Sequence, residues 1–429
     1  MSNLNRDILY LIFEELQNDK KTFFSCIFVN KTWCETAIPI LWRNPWKFLE
    51  NKMSLFNVLI SHFSDETRKK LSEYELLKEI PYQKLSFYYI NFCRHLNLIE
   101  IQRIINNINT YKSRILLIQT EILKLFLNEN VRITHLYISR TFYYKLHLLP
   151  ESWFSGIKFL SCNTSTNDNI VRSIKLEDEI IRLIEAKNGL FNINLTCPSY
   201  CGLSFLQNSL IKYTNTIRPN TKLLSSFANL KELELNNEFC YSWNGLKDLS
   251  FSSLQYLKAN KLPADVLTIL IKNTNGSLIE LEIDHLYDSA SNDEIIQAIS
   301  EACPNIKYLK LSIRDANILG FKNLLKNCQC LSELFIIIID LLNKFHWKKL
   351  SEVLAKSSPA SLFKFTFHSF KAPKLKLFFD NWENKHPPII LKIISNRNIN
   401  VYLIEDYKLK GIVKNYKYDG KYLGSTFKI

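Results

Sequence analysis

Eight histidines and ten cysteines carry the side chains that metal sites and covalent catalysis most often use. The sequence contains no HExxH, GxSxG, GxxxxGK[ST] or GxGxxG motif, and no spacing singles out one Ser/His/Asp set. We therefore predict no catalytic residue and no cofactor. The histidines are His62, His95, His135, His147, His285, His346, His368 and His386.

Two cysteine pairs come close enough in sequence to suggest a metal site. Three residues separate Cys197 from Cys201, and one residue separates Cys328 from Cys330. Structural zinc sites usually need two such pairs, or a pair matched by histidines, and neither pair has a partner. We therefore predict no bound metal, and we expect the cysteines to be reduced and to serve as small buried apolar side chains.

Composition limits the class of protein. The 429 residues are 47% hydrophobic and 22% charged, which excludes a mainly disordered chain, and only 9 glycines and 12 prolines occur. The net charge of +14 is compatible with binding to nucleic acid or to an acidic membrane surface. The alternative is biased codon usage together with a solvated surface.

No signal peptide is apparent, and the longest purely apolar run has six residues, 334–339, against roughly 20 for a membrane span. We therefore expect a cytoplasmic or nuclear protein that does not enter a membrane.

The elements that could position functional side chains begin with three short helices. Apolar residues at helical spacing predict the first over residues 5–16, the second around 22–28, and the third from Asn30 until Pro39. Three helices in about 40 residues bury little surface by themselves. We expect such a unit to leave an apolar face open for a partner helix.

Residues 3–46 resemble an F-box. The resemblance rests on Leu4 to Leu9, Ile12-Phe13, Leu16, Cys26, Val29-Asn30-Lys31, Trp33, Ala37, Pro39 and the ending Leu41-Trp42-Arg43-Asn44-Pro45-Trp46. The Leu-Pro with which the family usually starts is Leu4-Asn5 here. The resemblance implies docking onto a Skp-type adaptor in a cullin–RING ubiquitin ligase. By position, the implied adaptor contacts are Leu4, Ile8, Leu9, Ile12, Phe13, Val29 and Trp33.

Residues 47–128 are predicted to form a helical spacer, with helices over 53–63, 96–108 and 115–127. From residue 130 onward, the pattern apolar-x-x-apolar-x-apolar recurs nine times. It begins at Ile133, Ile157, Leu190, Leu230, Leu254, Leu278, Ile306, Leu331 and Leu362. From 230 onward the starts are 24, 24, 28, 25 and 31 residues apart. Leucine-rich repeats have this strand motif at a period of 20–29 residues.

Helical segments are predicted between these motifs, over 263–272, 292–302, 316–327 and 345–356. The predicted fold class is therefore α/β. The three-helix F-box-like unit (1–46) and the helical spacer (47–128) precede a right-handed leucine-rich-repeat solenoid (129–406) with a curved parallel sheet and outer helices. Residues 407–429 hold six lysines and four tyrosines and form either a terminal cap or a basic-aromatic arm, with a hairpin turn at Asp419-Gly420.

Side chains alternate along a strand, so the residues beside the two inner apolar positions of each motif should point to the concave face. From 230 onward these positions include six acids and three lysines, together with aromatic residues of the kind enriched at interfaces. We predict that this face binds a protein segment carrying Lys or Arg next to apolar residues, and we do not expect nucleic acid there. The alternative is that the acids are a solvated surface and that loops or the tail recognise the target. The predicted target-binding residues are Glu232, Glu234, Tyr256, Glu280, Glu282, Tyr308, Glu333 and Phe335.

Together these features favour a non-catalytic substrate receptor of an SCF-type ubiquitin ligase, which holds a target protein near the enzymes that modify it. Two alternatives stay open. One is a leucine-rich scaffold whose N-terminal helices only cap the array, and the other is a basic solenoid that binds nucleic acid.

Overall fold

The structure is a computed structural model, and its backbone forms two compact units, Met1–Leu190 (unit 1) and Phe191–Ile429 (unit 2). The structure describes residues 4–47, 52–73, 85–106, 112–128, 130–139, 156–163, 192–197, 229–237, 246–247, 250–284, 292–339, 345–369, 374–382, 386–395 and 399–419. The Cys201, His147 and His285 side chains and the Asp419-Gly420 turn lie wholly or partly outside these residues.

Unit 1 begins with the three predicted helices, α1 (Arg6–Leu16), α2 (Lys20–Ile27) and α3 (Lys31–Arg43). Capping side chains define two of their starts, because Asp19 accepts a hydrogen bond from the Thr22 amide and Asn30 accepts one from the Trp33 amide. The core of this three-helix unit is small and apolar. It consists of Leu9, Phe13, Phe23, Cys26, Ala37 and Ile40.

The prediction that the third helix ends at Pro39 is wrong, because α3 continues to Arg43. A proline inside a helix loses one backbone hydrogen bond and costs about 3 kcal/mol. Two contacts offset that cost. Ile40 is buried in the core, and the Arg43 guanidinium pairs with Glu14 of α1 at 2.5 Å.

The segment predicted as a purely helical spacer contains a strand. Helices α4 (Lys52–Ser61) and α5 (Asp65–Glu73) are followed by β1 (His95–Asn97), then by α6 (Leu98–Asn106) and α7 (Lys112–Phe126). The repeat motif is present at this strand as Cys93, Leu96 and Leu98, all fully buried, with a cysteine in the first apolar place. Strand β1 pairs in parallel with β2 (His135–Ser139), which pairs in parallel with β3 (Phe159–Asn163).

Unit 2 contains a run of parallel strands, each of which pairs with the next along the chain. They are β4 (Asn192–Cys197), β5 (Glu232–Asn237), β6 (Tyr256–Asn260), β7 (Glu280–Asp284), β8 (Tyr308–Ile313), β9 (Glu333–Ile338), β10 (Lys364–Ser369), β11 (Ile389–Ser395) and β12 (Val413–Asp419). All nine motifs predicted from residue 130 onward, two in unit 1 and seven here, coincide with strands. Strands β11 and β12 were not predicted, and the predicted boundary at residue 407 falls within a helix.

Helices separate most of these strands. They are α8 (Ala264–Lys272), α9 (Asn292–Ala302), α10 (Ile318–Asn327), α11 (Trp347–Ser357), α12 (Leu375–Trp382) and α13 (Val401–Leu409). The first four confirm the predicted helical segments. A parallel sheet with one helix between successive strands is the predicted repeat architecture, because each helix covers the apolar face of the sheet. The right-handed, curved solenoid and the F-box assignment stay predictions.

The core of unit 2 explains why this sequence folds in repeats. Leu257, Leu281, Leu309 and Leu334 are paired across neighbouring strands and are fully buried. At the turn before two of the strands, Cys303 and Cys328 are also fully buried, and burial raises the pKa of each thiol to about 12. These two cysteines therefore act as small apolar side chains, as predicted, whereas Cys330 is exposed.

Within the described residues, no helix combines the length and the apolar character needed to cross a bilayer.

The buried Asn292 side chain joins two repeats. Its amide donates hydrogen bonds to the Ser312 carbonyl at 2.7 Å and to Asn317 Oδ1 at 3.1 Å, and its side chain is 3% exposed. Because the acceptors stay buried when the donor is removed, Asn292→Ala should lower the free energy of unfolding by about 1–3 kcal/mol. Chemical denaturation measures this. Asn305→Ala is the matched control, since Asn305 makes one exposed hydrogen bond, to Gly276. Equal effects of the two substitutions would contradict the prediction.

Candidate functional site

The predicted target-binding residues lie on one face of the unit 2 sheet, which we call the open face. Strands β6 and β7 alternate between buried and partly exposed positions, so that each buried leucine is flanked by side chains on the other face. The parallel register aligns these flanking residues in two rows. The first row is Glu232, Tyr256, Glu280, Tyr308, Glu333 and Lys364, and the second row is Glu234, Lys258, Glu282, Lys310, Phe335 and Thr366.

The rows alternate with a period of two strands. Strands β5 and β7 carry Glu-x-Glu on the open face, whereas β6 and β8 carry Tyr-x-Lys. Each tyrosine of the first row therefore has a glutamate directly opposite it on both neighbouring strands. These residues can be identified one by one from the sequence, but their alternation depends on the register between strands.

One of the two lysines in the second row already forms ion pairs within the protein. Lys310 pairs with Asp284 at 2.6 Å and with Glu282 at 3.8 Å, and its ammonium lies 5.1 Å from the centre of the Phe335 ring. At the end of the first row, Lys364 pairs with Glu333 at 2.7 Å. Glu280 is exposed and has no ion-pair partner among the described residues.

Burial and negative charge together characterise the middle of the open face. Burial raises the pKa of both tyrosine hydroxyls, Tyr256 and Tyr308, well above the usual range, and the Glu282 carboxylate is the next cause for each. Burial also raises the pKa of Glu282 itself, while Lys310 and Lys258 act in the opposite direction. A cation that docked here would relieve this mutual repulsion.

The structure extends the open face beyond the predicted strands and changes its charge. Strands β11 and β12 continue the first row with Ile390 and Asn415 and the second row with Lys392 and Lys417, and Asp419 follows Lys417 by two residues on the same face. The face then carries seven acids and five lysines among the described residues. Its negative charge lies on β5–β9, while Lys364, Lys392 and Lys417 follow one another on β10, β11 and β12. The open face is therefore acidic and aromatic along one stretch and basic along the next.

A second candidate surface lies on the three-helix unit. Four of the seven residues that the F-box resemblance implies as adaptor contacts are exposed, namely Leu4, Ile8, Ile12 and Val29, with exposed fractions of 47%, 48%, 37% and 55%. Two apolar residues that were not predicted join them, Leu11 at 65% and Phe28 at 84% exposure. Leu11 follows the same helical spacing as Leu4 and Ile8, so its sequence position could have indicated it.

Leu9 and Phe13, which the resemblance also implies as adaptor contacts, are not part of this exposed surface. Both are buried, at 1% and 0% exposure, in the core of the three-helix unit. Phe13 packs edge-on against Phe23 and against Trp33, with ring centres 5.8 and 5.6 Å apart. Trp33 is partly buried against the same core. These residues therefore hold the unit together in this conformation, and Ile8 and Ile12 form the neighbouring exposed stripe.

In unit 1, imidazole rings occupy the equivalent positions on the strands. His95 and His135 are opposite each other on β1 and β2, and their rings stack with centres 3.7 Å apart. Burial lowers the pKa of His95 to about 4, and His135, Arg43 and Lys47 add to this effect. Burial and Lys158 lower the pKa of His135. These histidines are therefore neutral near pH 7.

His62 behaves in the same way, because burial and then Arg68 lower its pKa to about 4. In the described part of the chain, no group of three or more His, Cys, Asp or Glu side chains is placed to hold a metal ion.

No protein-family model and no curated protein matches the sequence. Among solved structures, the chain is similar to the crystal structure of the leucine-rich repeat-containing protein LegL7 from Legionella pneumophila, at 12% sequence identity and a TM-score of 0.33. The match covers 69% of this chain and 86% of that chain. A likeness of this degree adds nothing to what the strands and helices themselves show.

The neutral histidines should make unit 1 sensitive to acid. Each has a folded-state pKa below the unfolded value of about 6.5, so the unfolded chain binds more protons as the pH falls from about 6.5 towards 4. Stability is therefore present above pH 6.5 and is lost across this interval. In thermal melts at pH 7 and pH 5, His62→Asn/His95→Asn should show a smaller loss of melting temperature than the unsubstituted protein. The control is His346→Gln, on an exposed residue of unit 2 that pairs with Asp315 at 2.8 Å; because this pair is charged only when the imidazole is protonated, its removal should not make the loss smaller. If the double variant lost as much melting temperature between pH 7 and pH 5 as the unsubstituted protein, the assignment of His62 and His95 as neutral histidines would be contradicted.

Proposed function

We propose that this chain is a substrate receptor, in which the open face of unit 2 binds a target protein and the three-helix unit docks onto a Skp-type adaptor of a cullin–RING ubiquitin ligase. The observation that carries the proposal is the alternation of glutamate and tyrosine along the first row. Aromatic side chains next to charged groups on one continuous face are typical of protein-binding hot spots.

The charge of the open face favours a protein over a nucleic acid as the ligand. Although the chain carries +14, acids predominate over β5–β9, where phosphates would face like charge. A cationic segment would instead find Glu232, Glu280 and the second-row carboxylates, with tyrosine rings between them. The three lysines of β10–β12 provide a separate, basic stretch that could contact an acidic part of the same target.

The apolar surface of the three-helix unit supports the adaptor part of the proposal. Ile8, Leu11, Ile12, Phe28 and Val29 are exposed while the unit keeps its own core of buried side chains. Such a patch can accept a partner helix without any rearrangement of the unit. It coincides with the segment that resembles an F-box.

The proposed mechanism is proximity, with no covalent step on this chain. A receptor that binds the adaptor through one surface and the target through another holds a lysine of the target close to the activated ubiquitin. This arrangement raises the effective concentration of the reacting groups. The chemistry belongs to the partner enzymes, and the proposed receptor contributes binding and orientation.

The adaptor proposal predicts the effect of charging the exposed stripe of α1. Ile8→Glu/Ile12→Glu should weaken co-precipitation with a purified Skp-type adaptor at least tenfold, because the complex would bury two unpaired carboxylates. Both positions are exposed in the free chain, so the melting temperature should hardly change. The control is Leu319→Glu, on a leucine of α10 that is 66% exposed. Adaptor binding that survives the double substitution would favour a scaffold without a ligase link. Phe13 is unsuitable for this test, because its replacement would disrupt the core.

The target-binding proposal predicts the effect of reversing charge on the open face. Glu232→Lys/Glu280→Lys/Glu282→Lys should abolish capture of the target from native cells while adaptor binding is retained, because the reversed charges repel a cationic segment. A control with the same change of net charge is Glu294→Lys/Glu301→Lys/Asp406→Lys, at exposed helical positions.

Capture that survives this reversal would place the target site elsewhere. Capture that is lost only in Lys392→Glu/Lys417→Glu would move the site to the basic stretch. Binding to DNA or RNA that depends steeply on salt would instead favour a nucleic-acid-binding protein.

A further inference from the structure

We infer that Tyr256, Glu280 and Tyr308 form a clamp for one lysine side chain of the bound protein, with the lysine stem between the two rings and its ammonium on the carboxylate. The inference rests on the proposed function of the open face, and it names the group that this face recognises.

The register of three strands brings the clamp together. Glu280 on β7 lies directly opposite Tyr256 on β6 and opposite Tyr308 on β8. Neighbouring strands are about 4.8 Å apart, so the two tyrosine backbones are separated by about 9.6 Å, with the glutamate midway. Strand side chains stand roughly perpendicular to the sheet, which places a ring on each side of the carboxylate.

This spacing suits an ammonium group. A cation above Glu280 would lie about 5 Å from each tyrosine side chain, within the distance of about 6 Å at which a ring attracts a cation. The three N–H groups of a lysine ammonium could donate to the carboxylate and to the tyrosine hydroxyls, which accept as well as donate. The methylene stem would at the same time cover the apolar faces of the rings.

Among the residues that the structure describes, no lysine or arginine forms an ion pair with Glu280. Lys310, the lysine of β8, is held by Asp284 and Glu282 and lies over the Phe335 ring. Glu333 already forms an ion pair with Lys364. Of the described first-row glutamates, Glu280 alone has a tyrosine on both neighbouring strands, since Glu232 has Asn192 on one side.

Glu282 of the second row adds one more carboxylate near the clamp, although Lys258 and Lys310 lie opposite it on the neighbouring strands. Glu282 follows Glu280 by two residues on the same strand. Its charge is the second cause, after burial, of the raised pKa of Tyr256 and Tyr308. These tyrosines therefore stay neutral and keep their hydroxyl protons. Acetylation of the bound lysine would remove the charge on which the clamp depends, so it would release the target.

Peptide arrays test the clamp with the full chain. The probes are twelve-residue peptides with one fixed central residue, either lysine, Nε-acetyl-lysine or glutamate, and with the other positions randomised without Lys or Arg. The unsubstituted chain should bind the lysine peptides at least tenfold more strongly than the acetyl-lysine peptides, and it should not bind the glutamate peptides.

Variants then locate the site. Glu280→Gln should reduce the lysine signal to the acetyl-lysine level, and Tyr256→Leu or Tyr308→Leu should reduce it about threefold or more. Tyr256→Phe should keep most of the signal, because the ring is retained. Glu294→Gln, which removes one carboxylate from an exposed position of α9, is the matched control and should change the signal less than twofold. Melting temperatures of all variants show whether each one is folded.

Equal binding of lysine and acetyl-lysine peptides would overturn the clamp, as would a Glu294→Gln variant that is as impaired as Glu280→Gln. The failure of the proposed function remains distinguishable, because adaptor binding and target capture are measured on the same variants. A Glu280→Gln chain that captures its target normally would remove the clamp and leave the receptor proposal intact.

Discussion

The parallel pairing of buried leucines across neighbouring strands is the constraint on which the rest of unit 2 depends. Leu233, Leu257, Leu281, Leu309 and Leu334 are opposite one another from strand to strand and are at most 3% exposed. A slip of one residue would bury the neighbouring glutamates, tyrosines and lysines in their place. Burying a charge without a partner costs far more than the slip could gain. The apolar core therefore fixes the register, and the register fixes the rows on the open face.

The recurring apolar pattern predicted most strands because one face of each of these strands is apolar. It missed strands in which a different residue type began the motif or in which both faces are apolar. Strand β1 was missed because Cys93 begins its motif. Strand β11 was missed because apolar residues occupy both its faces, so that the run Ile389–Ser395 lacks a clean alternation. The rows could be predicted residue by residue. Their partners on neighbouring strands could not, because pairing across loops of variable length is a tertiary property.

The three-helix unit shows why a helical pattern identifies apolar residues without saying which of them face inward. Ile8 and Leu9 are neighbours on α1 and differ by about 100° around the helix axis, as do Ile12 and Phe13. Both stripes are apolar, so the sequence could not distinguish them. Packing decides, since Leu9 and Phe13 contact α2 and α3 while Ile8 and Ile12 remain exposed. An apolar stripe that the core does not use costs solubility unless a partner covers it.

The distribution of charge separates long-range attraction from local recognition. The chain as a whole carries +14, so its average field, which salt screens over a Debye length of about 8 Å, repels cationic molecules and attracts anionic ones as they approach the surface. Over the open face, within a few ångströms, the carboxylates of β5–β9 have the opposite preference. A target that satisfies both is a protein of net negative charge with a short basic segment, because its overall charge brings it to the chain and its lysine is selected by the clamp. A uniformly basic protein would meet repulsion before it reached the rows, and a polyanion would be attracted to the chain but rejected by this face. For the proposed receptor, the positive surface therefore attracts the target as a whole, and the acidic open face then selects its basic segment. These two roles require charges of opposite sign.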